Sequence, residues 1–331
     1  MVDIYDTMNL LGTRRYQHTN QLALNTKLFR KADVSSFKIK YSNCKNGDIF
    51  PVIDDADLGI LIPKHLYLRN WTLDTLINAH FKYSEEEMNF KEKMLVLYLS
   101  NIYVGNETAT IKSKTDAFVE ELLKELKFYP LRFKTFPKHH LYCNGKRIES
   151  EPSFSFENDI GEVIMICNDD KNMRVRDENS ADFFGGEDQI AGDMLAAAFM
   201  NWEGSGKNQV IYAVRVIDTN FTFYKAEISS SYLKSLEFGF PKDESIAIHR
   251  HPQENQSKTC HFKNCTIYDF EYPAFNYLNP IDRKTILNLL SRILLPNHCL
   301  PAIEYAEKNI FSNFVANKSK NLIHKNAKSI L

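Results

Sequence analysis

The most constraining feature of this sequence is one apolar run, Glu162-Val-Ile-Met-Ile-Cys167, which leads directly into Asn168-Asp169-Asp170-Lys171. A short, nearly continuous apolar run is typical of a strand that is buried on both faces. Side chains alternate between the faces of a strand, so Asp169 and Lys171 are predicted to project to one side and Asp170 to the other. The run therefore predicts a central strand whose carboxyl end presents a carboxylate and an ammonium together.

The segment before this strand shows one helical pattern and several short strand patterns. Residues 115–127 have apolar residues at helical spacing, and Thr115 is predicted to cap that helix. The Asn144-Gly145 dipeptide predicts a tight turn. Three short strands are predicted before the central one: Leu131–Lys134, His140–Cys143 and Ser153–Phe156.

The segment after the strand predicts a helix and then a hairpin. Gly185-Gly186 interrupts the chain, and a helix is predicted from Gln189 to Trp202 with acidic residues at its start. One stripe of this helix is small and apolar and is expected to pack on the sheet, whereas Gln189 and Asp193 share a different face. Residues 210–216 and 221–224 predict the two strands of a β-hairpin.

This order of elements resembles a known family. The sequence Ile-Cys-Asn-Asp-Asp-Lys, followed by Gly-Glu-Asp-Gln-Ile-Ala-Gly-Asp-Met-Leu-Ala, is similar to the PD-(D/E)xK nuclease-like domains of Crinkler-type effector proteins. The resemblance covers roughly residues 112–295. It implies an α/β protein with a restriction-endonuclease-like core of order α-β-β-β-α-β, a mainly helical N-terminal region and a C-terminal helix.

The resemblance also implies a site. In the family, two carboxylates at neighbouring strand ends bind a divalent ion, and a lysine stabilises charge on the scissile phosphate. Carried over by position, Asp169 is the metal ligand, Lys171 the catalytic lysine, and Gln189 a residue that orients the site or contacts the nucleic-acid backbone. Mg²⁺ or Mn²⁺ is the expected cofactor if the chain is active.

One position departs from the family pattern. The Pro-Asp of the motif corresponds to Pro152-Ser153, so a neutral serine stands where a second carboxylate is expected. Glu151 or Asp159 could supply the missing metal ligand, although a shift of one residue in a strand reverses the face. In a purely structural interpretation, Asp169 to Lys171 are a polar exit from the strand, and Gln189 and Asp193 form a solvated helix face.

Two functions therefore stay open from the sequence. One is a metal-dependent nuclease acting on DNA or RNA, and the other is a catalytically inactive relative that binds nucleic acid or a protein partner. The resemblance implies an effector acting inside host cells, in the nucleus or the cytoplasm, with secretion by a non-standard route as an option. The formal net charge of −1 excludes a global basic field, so nucleic-acid binding would depend on a local patch.

Length and composition predict the organisation of the chain. With 331 residues and 44% hydrophobic content, about two domains are expected. The boundaries predicted are an N-terminal region at 1–110, the nuclease-like domain at 111–300, and a C-terminal helix and basic tail at 301–331. The sequence contains no run of about 18 apolar residues and no signal-peptide pattern, so no membrane partner is expected.

The six scattered cysteines favour reduced thiols and an intracellular setting. A second group of potential ligands lies late in the chain, and its spacing matches no common zinc finger. Two interpretations are a zinc site and a polar surface insertion. Its members are His249, His251, Cys260, His261 and Cys265.

Overall fold

The computed structural model describes residues 21–44, 49–51, 62–68, 71, 89–104, 111–126, 131–169, 186–252 and 274–295. These residues form a mixed α/β fold, as the sequence predicts at that level. Lys171 and Asp170, the segment 253–273 and the C-terminal tail lie outside the described residues. Among the described residues, every helix is too short or too polar to span a lipid bilayer.

The described helices and strands alternate along the chain. The helices are α1 (Lys31–Ser36), α2 (Phe90–Val104), α3 (Ile111–Glu125), α4 (Gly186–Ser205), α5 (Ser230–Ser235) and α6 (Pro280–Leu294). The strands are β1 (Ile39–Asn43), β2 (Arg132–Thr135), β3 (His139–Cys143), β4 (Lys146–Ser150), β5 (Phe154–Glu157), β6 (Val163–Asp169), β7 (Gln209–Ile217), β8 (Asn220–Ile228), β9 (Ile246–His251) and β10 (Phe275–Asn276).

One mixed sheet of eight strands organises the fold, in the order β1-β9-β8-β7-β6-β5-β2, with β10 paired to β8. Strand β6 is parallel to β7 and antiparallel to β5, while β2–β5 and β7–β8 are antiparallel. Helix α4 connects the parallel strands β6 and β7, as a parallel connection requires. Strand β1 pairs in parallel with β9, so the N-terminal part of the chain contributes to this same sheet.

Strands β3 and β4 form a separate two-stranded hairpin. The turn between them is Asn144-Gly145, both with positive φ (51° and 75°), as the dipeptide predicts. Helix α4 contacts this hairpin as well as β6 and β7 of the main sheet. It is therefore covered on two sides, which explains why 13 of its 20 residues are buried, including the acidic Glu187, Asp188 and Asp193.

Two apolar layers enclose the main sheet. On one face, β6 contributes Met165 and Cys167 to a core shared with α2, α3 and α6. On the other face it contributes Val163 and Ile166 to a core shared with α1, α4, α5 and the β3–β4 hairpin. Burial on both faces confirms the prediction for the central strand.

A buried arginine ties the N-terminal part of the chain to α6. Arg283 is 1% exposed and donates hydrogen bonds to five backbone carbonyls at 2.7 to 3.3 Å. The planar guanidinium suits this role because it presents five donors in a fixed geometry. The acceptors are the carbonyls of Tyr67, Leu68, Trp71, Tyr277 and Leu278.

Several details differ from the sequence predictions. The predicted cap at Thr115 is wrong, because α3 already includes Ile111 and Thr115 is buried within it. Strand β4 was not predicted; its residues, Lys146–Ser150, are mostly polar. The predicted strands do not all join one sheet, because the β3–β4 hairpin forms a second sheet that lies over α4.

Candidate functional site

The candidate site lies where β5 begins and β6 ends. The antiparallel register pairs Phe154 with Cys167, which sets the preceding residue, Ser153, beside Asn168. The Ser153 backbone N–H donates to Asn168 Oδ1 at 3.1 Å. This bond fixes the orientation of the Asn168 amide, because only its oxygen can accept. The amide nitrogen is therefore directed toward Asp193, and the Nδ2 to Oδ2 distance is 2.5 Å.

Asp193 is the centre of a closed hydrogen-bond network. It lies on α4, is 0% exposed, and accepts four side-chain hydrogen bonds. Oδ1 accepts from the hydroxyls of Thr26 and Ser150, the latter at 2.7 Å. Oδ2 accepts from Asn168 and, at 3.3 Å, from Gln189. Burial raises the pKa of Asp193, and these four bonds oppose the rise because they favour the charged form.

The chain around Asp193 is shaped for close approach. Gly192 precedes it, and a Cβ at that position would lie 2.8 Å from both Phe29 Cδ2 and Thr26 Cγ2. Glycine at 192 therefore lets the short 3₁₀ helix Thr26–Leu28 pack directly on α4. That contact brings the Thr26 hydroxyl to the carboxylate.

A second polar cluster lies at the amino end of α4. Arg250 Nη1 donates to Glu187 Oε1 at 2.9 Å, and the Tyr224 hydroxyl donates to the same oxygen at 3.0 Å. The Tyr41 hydroxyl donates to the Glu187 carbonyl. Arg250 also donates from Nε and Nη2 to Asn43 Oδ1, at 3.0 and 2.8 Å. The buried Glu187 thus holds β1, β8 and β9 to the start of the helix.

Asp188 stands next to this cluster in the first turn of α4. Its pKa is raised to about 6, chiefly by burial. Lys31 and Arg215 oppose this rise in the pKa, and Glu187 and Asp33 add to it. The position is compatible with a carboxylate because the helix dipole favours negative charge near the amino terminus.

The residues predicted for catalysis have separate positions. Asp169 is the last residue of β6, and its backbone is opposite Val216 of β7 in the parallel register. Gln189 is half-buried on α4 and donates to Asp193. Lys171 lies outside the described residues, so its role stays a prediction.

The two predicted substitute ligands lie at different ends of the sheet. Glu151 precedes β5 and forms an ion pair with Lys27, with Oε2 and Nζ 2.8 Å apart. Asp159 is exposed in the turn between β5 and β6, at the opposite end of β6 from Asp169. A seven-residue strand spans about 20 Å, so Asp159 is not brought together with Asp169.

The described residues do not fit a hard divalent ion. Mg²⁺ binds through carboxylates with free lone pairs, whereas the oxygens of Asp193 already accept four hydrogen bonds. Ser153 and Asn168 are neutral, and Glu151 is paired with Lys27. No group of three or more His, Cys, Asp or Glu within the described part of the chain could hold a metal ion.

Two members of the predicted zinc site can be located. His249 Nδ1 lies 2.8 Å from Ser42 Oγ and 2.9 Å from Cys44 Sγ. The ring of His251 is buried between the rings of Phe50 and Phe275. The other three candidates, Cys260, His261 and Cys265, lie outside the described residues, so the zinc site stays a prediction.

The sequence interpretation missed most of this network. Asp193 was assigned, with Gln189, to a solvated helix face in one interpretation, and that assignment is wrong because Asp193 is fully buried. The i, i+4 spacing of Gln189 and Asp193 was the one sequence signal that these two side chains lie together. Asn168, Ser150 and Thr26 carried no signal, because their convergence depends on the hairpin and the N-terminal segment. Neither the protein-family models nor the curated sequences compared with this chain gave a match.

Proposed function

We propose that this chain is a catalytically inactive protein of the PD-(D/E)xK restriction-endonuclease-like fold, and that it binds nucleic acid. The element order supports this proposal. Helix α3, strands β2, β5 and β6, helix α4 and strand β7 follow one another as α-β-β-β-α-β, with the β3–β4 hairpin inserted. The sheet keeps these strands adjacent in the order β2-β5-β6-β7.

The observation that carries the loss of catalysis is the pairing of Ser153 with Asn168. In the family, neighbouring strand ends supply two carboxylates for the metal. Here the start of β5 contributes the neutral Ser153, whose N–H donates to the Asn168 amide oxygen at 3.1 Å. Asp169, the last residue of β6, is therefore the one acidic residue of the family pair that this chain keeps. The nearby carboxylate of Asp193 is committed to four donors. This closed network, with Asp193 as its one carboxylate, is engaged in internal hydrogen bonds rather than open to a metal.

A surface beside this network supports nucleic acid as the partner. Phe136 is 52% exposed, and its backbone N–H donates to the Ser153 carbonyl at 2.9 Å. Lys134 and Lys138 flank it and are exposed, and Lys134 also forms an ion pair with Glu157, with Nζ and Oε2 2.7 Å apart. An exposed aromatic ring between cations suits single-stranded nucleic acid, because bases stack on the ring and phosphates attract lysine. We name Lys134, Phe136 and Lys138 the β2 surface.

A binding measurement tests the partner. Fluorescence anisotropy with labelled single-stranded DNA and RNA should show salt-dependent binding by the full chain. Phe136→Ala should weaken it by about 1–3 kcal/mol. Phe238→Ala is the matched control, because Phe238 is 79% exposed elsewhere on the chain and should leave binding unchanged. Equal affinity of wild type and Phe136→Ala would remove the β2 surface from the proposal.

A cleavage measurement tests the loss of catalysis. Wild type incubated with single- and double-stranded DNA and RNA, in Mg²⁺ or Mn²⁺, should cut no faster than Lys171→Ala. Metal-dependent cleavage that disappears in Lys171→Ala or Asp169→Ala would instead establish the alternative, a metal-dependent nuclease. Absence of both binding and cleavage by folded protein would favour a protein partner, which the resemblance to host-targeted effectors also predicts.

A further inference from the structure

We infer that Cys44 and His249 form a reactive thiol–imidazole pair, and that the Cys44 sulfur is a site of oxidation by hydroperoxides. Cys44 Sγ lies 2.9 Å from His249 Nδ1, within hydrogen-bonding distance. The pair is separate from the Asp193 network, and the inference does not depend on the proposed function.

The backbone fixes the two side chains from adjacent strands. Ser42 of β1 is directly opposite His249 of β9 in the parallel register. Beyond the end of β1, the Cys44 N–H donates to the Arg250 carbonyl at 3.1 Å. The thiol is therefore held beside the imidazole by the sheet rather than by a flexible loop.

The position of Cys44 differs from that of the other described cysteines. Cys44 is partly exposed, whereas Cys143 and Cys167 are buried. Burial raises the pKa of Cys143 to about 12, so its reactive thiolate is suppressed. Among the described cysteines, Cys44 alone combines solvent access with a neighbouring base.

Ser42 makes the pair testable. Its Oγ lies 2.8 Å from the same His249 Nδ1, so serine and cysteine compete for one nitrogen. A neutral ring nitrogen has one lone pair and accepts well from one donor at a time. Removing the serine hydroxyl leaves the nitrogen to the thiol alone.

The chemistry is a two-electron oxidation. His249 Nδ1 accepts the thiol proton, and the sulfur attacks one oxygen of the peroxide. An S–O bond forms and the O–O bond breaks, and its electron pair goes to the leaving oxygen. That oxygen takes the proton from His249 and departs as water when the oxidant is hydrogen peroxide. Sulfur is oxidised to sulfenic acid, and the peroxide is reduced.

Sulfenic-acid trapping tests the inference. The full chain is treated with hydrogen peroxide and dimedone at neutral pH, and labelling of each cysteine peptide is followed by mass spectrometry. Cys44 should be labelled at least about tenfold faster than Cys143 and Cys167. His249→Asn, which keeps a hydrogen-bonding group but no base, should slow Cys44 by about tenfold or more. In Ser42→Ala, Cys44 should be labelled at least as fast as in wild type.

A second measurement tests the inference even if His249→Asn does not fold. Alkylation of Cys44 by iodoacetamide at neutral pH is compared with that of a synthetic peptide spanning residues 39–44, which has the same cysteine without His249. Partial burial alone would make alkylation of Cys44 slower in the protein than in the peptide. Faster alkylation in the protein therefore supports activation of the thiol by His249. Slower alkylation of the protein, or equal dimedone labelling in wild type and His249→Asn, would overturn the inference.

Discussion

The side-chain amide of Asn168 lies between the Ser153 backbone and the carboxylate of Asp193, and its Nδ2 is 2.5 Å from Asp193 Oδ2. A neutral amide is the side chain that satisfies both neighbours, because it accepts on one side and donates on the other. A carboxylate at 168 would still accept from Ser153 but would meet Asp193 as a second buried anion.

Asn168→Asp is therefore expected to destabilise the protein and to make its stability depend on pH. At pH 7 the variant should lose about 3–5 kcal/mol of unfolding free energy, because a buried charge is left uncompensated. The adjacent carboxylate raises the pKa of one acid in the folded state, so the folded variant binds an extra proton. Its deficit should shrink as pH falls toward about 4.

Chemical denaturation of wild type and Asn168→Asp across that pH range measures this effect. Asn208→Asp is the matched control. Asn208 is exposed and its Oδ1 accepts from the Ser230 N–H, and an aspartate can accept the same hydrogen bond. A deficit in Asn168→Asp that does not vary with pH would contradict the arrangement of the two side chains.

Two substitutions of Asp193 should differ sharply. In Asp193→Asn, the amide oxygen can accept from Asn168 and Gln189, and the amide nitrogen can donate to the Thr26 and Ser150 hydroxyls, which can accept as well as donate. We expect a change within about 1 kcal/mol. Asp193→Ala leaves buried donors without an acceptor and should cost about 3–5 kcal/mol. Thermal unfolding of both variants tests this, and an equal loss in the two would mean that the charge itself is required.

Two glycines of α4 provide a matched pair. Gly192→Ala places a methyl group 2.8 Å from Phe29 and Thr26, and it should cost about 1–3 kcal/mol through overpacking. Gly204→Ala meets nothing within 4 Å and should be neutral or stabilising by up to about 1 kcal/mol. The difference in denaturation midpoint measures the contact. Similar stabilities would show that the segment around Phe29 shifts to accommodate the added methyl group at little cost in free energy.

His139 should make the protein less stable at acid pH. Its ring is 3% exposed, and neither nitrogen has a hydrogen-bond partner among the described residues. Burial lowers its pKa to about 4, with smaller contributions in the same direction from Lys134 and His140. The unfolded chain therefore takes up a proton near pH 6.5 that the folded chain refuses until about pH 4.

Stability should consequently fall by up to about 3 kcal/mol from this group as pH drops from 6.5 to 4. His139→Leu removes the titration, so its unfolding free energy should fall less than that of wild type over this range. Parallel pH profiles for the two proteins would show that His139 takes up its proton in the folded state as readily as in the unfolded state.

The sequence by itself determined the local elements whose patterns are strong. The run up to Cys167 required a buried strand, the residues from Gln189 to Trp202 required a helix, and Asn144-Gly145 required a tight turn, and all three are present. Such features depend on periodicity and turn chemistry, which act over a few residues. The mixed α/β class followed from the same patterns.

The tertiary structure alone decided the site. Register between β5 and β6 set Ser153 beside Asn168, and register depends on how two strands and their turn fit together, not on the pattern of one strand. Helical periodicity assigned Asp193 to a polar face, but the β3–β4 hairpin and the 3₁₀ helix Thr26–Leu28 cover that face. A buried carboxylate is stable only when donors converge on it from distant parts of the chain, and that convergence is a property of packing.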